Sequence, residues 1–208
     1  IGTHSDAHQL VYEHGIEAFE TDLVSSMAAI EKAGGGTPRV YRAPGFSITS
    51  KSLWAFDILA RNGIEVDSSI FPATRAHGGL PDFPQTQPCR IETVSGQSLR
   101  AFPLNVGKIG PLSFVFSGGG YFRLTPRPLL DRLFDQQDYV MTYFHPRDFD
   151  PDQPMVPGLN AFRRFKSYVG LRQALNKLDR LLETFDFINL AQAEAIVDWP
   201  SSPTVQVN

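Results

Sequence analysis

Apolar positions near the start of the chain recur at helical spacing. Between residues 16 and 33, Phe19, Leu23, Met27 and Ile30 return every three or four residues with acids between them, which predicts a helix with one apolar stripe. The Gly34-Gly35-Gly36-Thr37-Pro38 cluster closes it. Residues 40–44 then read as a short buried strand entering a loop. A second helix is predicted over residues 50–62, with hydroxyl residues at its start, Leu53, Phe56 and Leu59 along one face, and Gly63 as the stop. Residues 64–70 read as another short strand. Strand, loop, helix and strand in this order predict an α/β fold built on a parallel sheet or barrel.

The pattern breaks over residues 72–98, which are rich in Pro, Gly and polar side chains. Weak strand signals at 89–93 and 99–104 make this an irregular β-rich insertion, with a hairpin expected to lie over one end of the fold. Helix resumes at 126–136, followed by a strand at 139–145, a long polar loop, and a basic amphipathic helix at 171–185. Residues 187–190 read as a last strand and 191–197 as a last helical turn. There is no internal repeat. A single domain is expected over residues 1–198, with a disordered tail at 199–208.

Composition narrows the partners. The 208 residues, 42% hydrophobic and 20% charged, fit one ordinary globular domain with a self-sufficient core. A net charge of −3 argues against nucleic acid, because phosphate binding needs a concentrated basic face. The lone Cys89 excludes an internal disulfide framework and reads as a small half-buried residue rather than a reactive thiol. No apolar run approaches the ~20 residues of a membrane-spanning helix. The opening at Ile1, in what reads as a strand end, places any targeting segment upstream, so the compartment stays open between cytoplasm and cell envelope.

Three short segments carry chemistry. In His4-Ser5-Asp6-Ala7-His8, two histidines four apart can share one face of a helical turn and meet on one ion, with Ser5 or Asp6 as its cap. An unremarkable surface or capping pair is the other reading. In Tyr41-Arg42-Ala43-Pro44-Gly45-Phe46, an arginine at a strand's carboxyl end is placed to clamp a carboxylate in a cleft or to form a structural salt bridge. In Tyr143-Phe144-His145-Pro146-Arg147-Asp148-Phe149-Asp150, His145 ends an apolar strand and the proline forces an extended exit. It is either a working imidazole or a histidine satisfied in the core.

The order of the three segments resembles the polysaccharide deacetylases (the NodB-homology fold of carbohydrate esterase family 4). The stretches Asp67-Ser68-Ser69-Ile70-Phe71-Pro72, Gly118-Gly119-Gly120-Tyr121-Phe122-Arg123, and His145-Pro146 with Phe149-Asp150-Pro151 are similar to the branch associated with bacterial exopolysaccharide synthesis. The resemblance covers roughly residues 1–190. It implies a distorted (β/α) barrel with the site at the strands' carboxyl ends. It implies a divalent ion, usually zinc, on His4 and His8, which polarises the acetyl carbonyl of an N-acetylated glycan and lowers the pKa of its water. His145 would protonate the departing amine, Arg42 would orient a base aspartate, and the Gly45 amide would face the oxyanion. Asp67 would tune the histidine or simply cap its turn. The Gly118 to Gly120 run allows close approach of a sugar or a backbone, or forms a plain turn.

The family's first motif, with the metal-binding and base aspartates on the first barrel strand, has no counterpart in these residues. The expectation is therefore a barrel incomplete at its N-terminus and a chain that is inactive by itself. Two other functions fit the same residues. One is a small-molecule amide or formamide hydrolase, told apart by a closed pocket instead of an open groove. The other is a noncatalytic carbohydrate-binding domain that lost the base. Phe162, Phe165 and Tyr168 among Arg163, Arg164 and Lys166 form a sugar platform, a partner face, or a helix packed on the barrel.

Overall fold

A computed structural model describes residues 1–75, 77–109 and 112–207. The strands are β1 (Val40–Tyr41), β2 (Val66–Asp67), β3 (Cys89–Thr93), β4 (Ser98–Ala101), β5 (Gly107–Ile109), β6 (Leu112–Phe114) and β7 (Thr204–Val207). The helices are α1 (Ile16–Lys32), α2 (Trp54–Arg61), α3 (Gly119–Leu124), α4 (Arg127–Asp135), α5 (Ala161–Tyr168), α6 (Leu171–Thr184) and α7 (Leu190–Ile196). The chain divides into two compact units, Ile1–Leu104 with Val197–Asn208, and Asn105–Ile196.

The first unit has the predicted α/β character. Its five-stranded sheet runs β1-β2-β4-β3-β7, parallel at every pairing but the β3/β4 hairpin. The period-3.6 stripe of α1 buries Phe19 and Leu23, and α2 buries Ala55, Phe56, Ile58 and Leu59. Phe19 sets its ring edge-on to Tyr41 of β1 at 6.0 Å and to Trp54 of α2 at 5.5 Å, so one aromatic joins sheet and both helices. Cys89 is fully buried in this core, and burial pushes its thiol up to about 12, which keeps it inert.

Two expectations change here. The hairpin of residues 89–101 is no peripheral insertion: β4 pairs with β2 and β3 with β7, so both strands are interior members of the main sheet. Alternation along Cys89–Thr93, with Cys89, Ile91 and Thr93 inward, is what a strand covered on one face requires. The expected tail is the strand β7. Thr-Val-Gln-Val has the period-2 pattern, and Val205 and Val207 face the core; only Asn208 of that segment lies outside the described residues.

The second unit gathers Phe116, Phe122, Leu130, Leu133, Phe134 and Leu181 around α3, α4 and α6. Helices expected at 126–136 and 171–185 are α4 and α6. The segment expected as a strand at 139–145 is irregular, and its one bridge joins Tyr143 to Gly118. The strand expected at 187–190 gives way to the start of α7. The carbonyls at the end of α3 are closed by Lys177 of α6, whose Nζ donates to Phe122, Arg123 and Thr125 at 3.0, 2.9 and 2.8 Å. Burial lowers the pKa of that ammonium.

Candidate functional site

In the first unit the carboxyl ends of β1 and β2 are stitched residue by residue. Tyr41 lies opposite Asp67 in register. One step on, Arg42 donates from Nε to the Ser68 carbonyl at 3.1 Å and from Nη2 to Ser68 Oγ at 2.7 Å. The Ala43 amide then donates to Ser69 Oγ at 2.8 Å. Arg42 thus grips the neighbouring strand end through two hydrogen bonds to Ser68.

Thr3 pairs with Tyr41 at the outer side of β1, its amide donating to Val40 and its carbonyl accepting from Arg42. That pairing sets His4 beside Arg42, and His4 Nδ1 lies 2.6 Å from the Arg42 carbonyl. A carbonyl only accepts, so Nδ1 of the neutral ring carries the proton and Nε2 the lone pair. This is the tautomer a metal-binding histidine commonly adopts.

His4 and His8 come together, but not on a helical turn. Ser5 and His8 have φ of +71° and +54°, and these two left-handed residues fold the segment back on itself. The bend is tied to α1 by Asp22, whose carboxylate accepts from the Asp6 amide at 3.2 Å and the Ala7 amide at 2.8 Å. The two rings stand 5.1 Å apart, inclined by 75°. Imidazoles sharing one tetrahedral ion at ~2.1 Å hold their ring centres roughly 5 Å apart. Ring spacing and the His4 tautomer therefore fit a divalent ion. Among the described residues, no group of three or more His, Cys, Asp or Glu side chains is placed to hold one.

Gly45 lies in the 3-10 turn Pro44–Phe46 with φ +60°, and Phe46 follows at +54°. The Phe46 amide is used by the Ala43 carbonyl at 3.0 Å, and the Phe46 carbonyl accepts from Gly79 at 2.9 Å. A Cβ on Gly78 would run into the Phe46 carbonyl, so the glycine pair 78–79 lies directly on the turn. Arg42 and Arg75 place their guanidinium carbons 5.7 and 5.3 Å from the Phe46 ring centre.

Asp67 is fully buried. Its Oδ2 accepts from the Ser69 amide at 2.9 Å, which closes an Asx turn. Its Oδ1 and the Tyr41 hydroxyl have no hydrogen-bond partner among the described residues. Burial raises the carboxyl to about 6, against the opposing hydrogen bonds of Ser69 and the charge of Arg42. Burial also raises Tyr41, helped by the charges of Asp67 and Asp22.

The second unit carries His145, at the entry to a 3-10 turn over Pro146–Phe149. Its amide donates to Asp148 Oδ2 at 3.0 Å, and its Nδ1 stands 3.5 Å from the same oxygen. Asp148 Oδ1 faces Arg123 Nη1 at 3.1 Å, and Arg123 Nη2 donates to the Lys166 carbonyl at 2.9 Å. The arginine and aspartate side chains are 3% and 7% exposed, whereas the imidazole is 60% exposed. Burial alone would raise Asp148; the hydrogen bonds from His145 and the charge of Arg123 outweigh it and hold the carboxyl low. Burial lowers Arg123, opposed by Asp148. His145 is thus no core histidine but a solvent-facing imidazole beside a buried ion pair. Gly118, beside it in the fold, packs against the Tyr143 carbonyl and ring where no Cβ would fit.

Asp22, Arg123 and Asp148 were not read from the sequence. The signals available were the His-x-x-Asp spacing after His145, which matches a turn cap, and the place of Arg123 at the end of the Gly118–Arg123 block; Asp22 carries no local pattern.

A sequence family described as Domain of unknown function (DUF3473) matches residues 68–195, more than half of the chain. No curated protein matches. Among solved structures, the fold is similar to one described as "putative polysaccharide deacetylase from Mycobacterium smegmatis", with a TM-score of 0.54 and 16% sequence identity. The likeness covers 94% of this chain and 61% of that one, so the present chain spans less than two thirds of its structural neighbour.

Proposed function

From the premise that this chain belongs to the DUF3473 family, we propose that it is the larger part of a metal-dependent hydrolase that removes N-acetyl groups from an N-acetylated glycan. The observation that carries this reading is the His4–His8 pair, two imidazoles 5.1 Å apart at a strand's carboxyl end, with the His4 tautomer set by the Arg42 carbonyl. The fold's likeness to the Mycobacterium smegmatis structure supports it. The (β/α) barrel and an exopolysaccharide or cell-envelope glycan as substrate belong to the same proposal, carried by the sequence blocks around Asp67, Gly118 and His145.

His4 and His8 would hold the ion, zinc by the nature of the donors. When bound, it supplies Lewis acidity toward the acetyl carbonyl and acidifies water. Arg42 holds the strand ends in place and the Gly45 amide faces the developing oxyanion. The family resemblance assigns the proton that the amine nitrogen takes as the C–N bond breaks to His145, whose imidazole is exposed. On this reading the ion needs a third ligand and the reaction a general base besides the two histidines, and the 208 residues by themselves release no acetate.

A noncatalytic glycan-binding domain is the second reading, favoured by the want of any three-ligand cluster among the described residues. Acetate release from an N-acetylglucosamine oligomer with added zinc separates the two, measured on the longer protein and on its His8→Ala and His145→Ala variants. Zinc-dependent release that both substitutions abolish supports the hydrolase. Release indifferent to both, or none from the longer protein, overturns it.

A further inference from the structure

The helix α5 is formed but buries nothing. Asn160 caps its start by accepting from the Arg163 amide at 2.9 Å, so it is a true helix, yet none of its eight residues is buried. It is anchored near its end, where the Lys166 carbonyl accepts from Arg123, and by Tyr168. The Tyr168 hydroxyl accepts from the Val156 amide at 2.8 Å and donates to the Pro154 carbonyl at 3.1 Å, which ties the preceding loop to the helix. At 100° per residue, Phe162 and Phe165 share a face with Ala161 and Tyr168. Phe162 is 69% exposed, Phe165 53%, Val156 52% and Met155 50%. Single exposed apolar residues need no explanation, but two phenylalanines on one helix face, with two more large apolar residues in the loop tied to that helix, leave apolar area that water does not favour.

Charge identifies the partner. Residues 154–180 hold six basic side chains (Arg163, Arg164, Lys166, Arg172, Lys177 and Arg180) and one acidic, Asp179, in a chain whose net charge is −3. Lys177 is turned inward on the α3 carbonyls, which leaves five. Arg163 and Arg164, both exposed, lie about 100° around α5 from Phe162 and Phe165 respectively, one on either side of the apolar face. A second copy of the chain would set these cations against each other. Stacking on a sugar needs open ring faces, and Lys166 Nζ covers the rings of Phe162 at 5.5 Å and Tyr121 at 5.8 Å. Met155 and Val156 offer a sugar nothing to hydrogen-bond. Aliphatic and phenyl groups flanked by cations match the boundary between acyl chains and anionic headgroups. Among the described residues no helix is long and apolar enough to cross a bilayer, and a helix apolar on one face with cations beside it suits the surface.

We propose that α5 and the 154–156 loop dock this protein onto a membrane surface rich in anionic lipid. Phe162, Phe165, Met155 and Val156 enter the interface while Arg163, Arg164 and Lys166 engage headgroup phosphates. This inference stands independently of the deacetylase reading.

Co-sedimentation of the 208-residue chain with vesicles tests it, using phosphatidylcholine alone or mixed with phosphatidylglycerol. The protein is expected to pellet with the mixed vesicles, to be released by high salt, and to leave the neutral vesicles unbound. The F162S/F165S and R163E/R164E variants are each expected to lower partitioning by about tenfold or more. Their melting temperatures should match the parent, because these side chains bury nothing. Failure to bind mixed vesicles, equal binding to neutral ones, or undiminished binding by either variant would overturn the proposal. A parent that binds an acidic glycan instead of vesicles would overturn it in favour of a saccharide surface.

Discussion

Asp148 accepts from the His145 backbone amide with the same carboxylate that meets Arg123, so one buried acid both starts a turn and anchors the exposed imidazole above it. A pair this deep contributes little net stability while intact, since its desolvation offsets its attraction. Removing one partner is different, because the other is left charged and buried. Asp148→Ala or Arg123→Leu is expected to cost about 3–5 kcal/mol. The double substitution with apolar residues should cost clearly less than the sum. Urea denaturation of the three variants reads the coupling; additive costs would show that the two groups do not act as a pair.

Asp67 makes stability depend on pH in an uncommon direction for an aspartate. Its folded value, about 6, lies above the ordinary aspartate value of 3.8 that holds in the unfolded chain, so the folded state binds the extra proton between those values. Stability contributed by the neutral acid is fully present below about 3.8 and is lost as pH rises through about 6. Asp67→Asn keeps an acceptor for the Ser69 amide and removes the buried charge. At pH 8 it is expected to stabilise the fold by on the order of 3 kcal/mol, from ~1.4 kcal/mol per pK unit, and at pH 3 to change little. Denaturant midpoints of both proteins across that range check the sign; a gain that grows toward acid would refute it.

What could be read from the sequence was whatever repeats locally. The α1 stripe of Phe19 and Leu23, the α2 face, and the histidine and Arg-x-Pro segments all sit in their own neighbourhood of the chain. Pairings between distant strands did not show. Residues 89–101 look peripheral because the turns around them are irregular, yet β2 and β7, from opposite ends of the first unit, lie on either side of them. The last strand was hidden by its shortness, four residues at the chain's end. The His4–His8 meeting was legible in outcome but not in cause. It rests on positive φ at Ser5 and His8 and on a carboxylate fourteen residues beyond His8, neither of which periodicity reports.

That distant carboxylate yields a prediction about the histidine pair, on the proposal that it binds zinc. Asp22 holds the Asp6 and Ala7 amides and so sets the bend between the two imidazoles, and among the described residues it forms no three-ligand group with them. Asp22→Ala frees the loop, and the rings lose their preset spacing. Zinc affinity of the chain, measured by calorimetric titration, is expected to fall roughly tenfold or more, the usual effect of losing an outer support. His8→Ala should abolish the same signal. Unchanged affinity in Asp22→Ala would mean that the loop organises around the ion by itself.

The Pro44–Phe46 turn gives the last test, because its shape depends on a residue far from it in sequence. Gly78 has φ +114°, where an L side chain is strained, and its missing Cβ is the space the Phe46 carbonyl occupies. Gly78→Ala must therefore move the turn or break the Gly79 amide bond to Phe46. The backbone strain alone is of order 1–3 kcal/mol, and the displaced turn adds to it. Gly63→Ala is the control: its φ is also positive, at +86°, but its Cβ would meet nothing. Thermal melts of the two are expected to show a substantially larger loss for Gly78→Ala. On the deacetylase reading only that variant should also lose acetate release in the longer protein, since it alone displaces the Gly45 amide. Equal losses of stability in both would mean that the φ penalty, not the packing of the turn, is what Gly78 relieves.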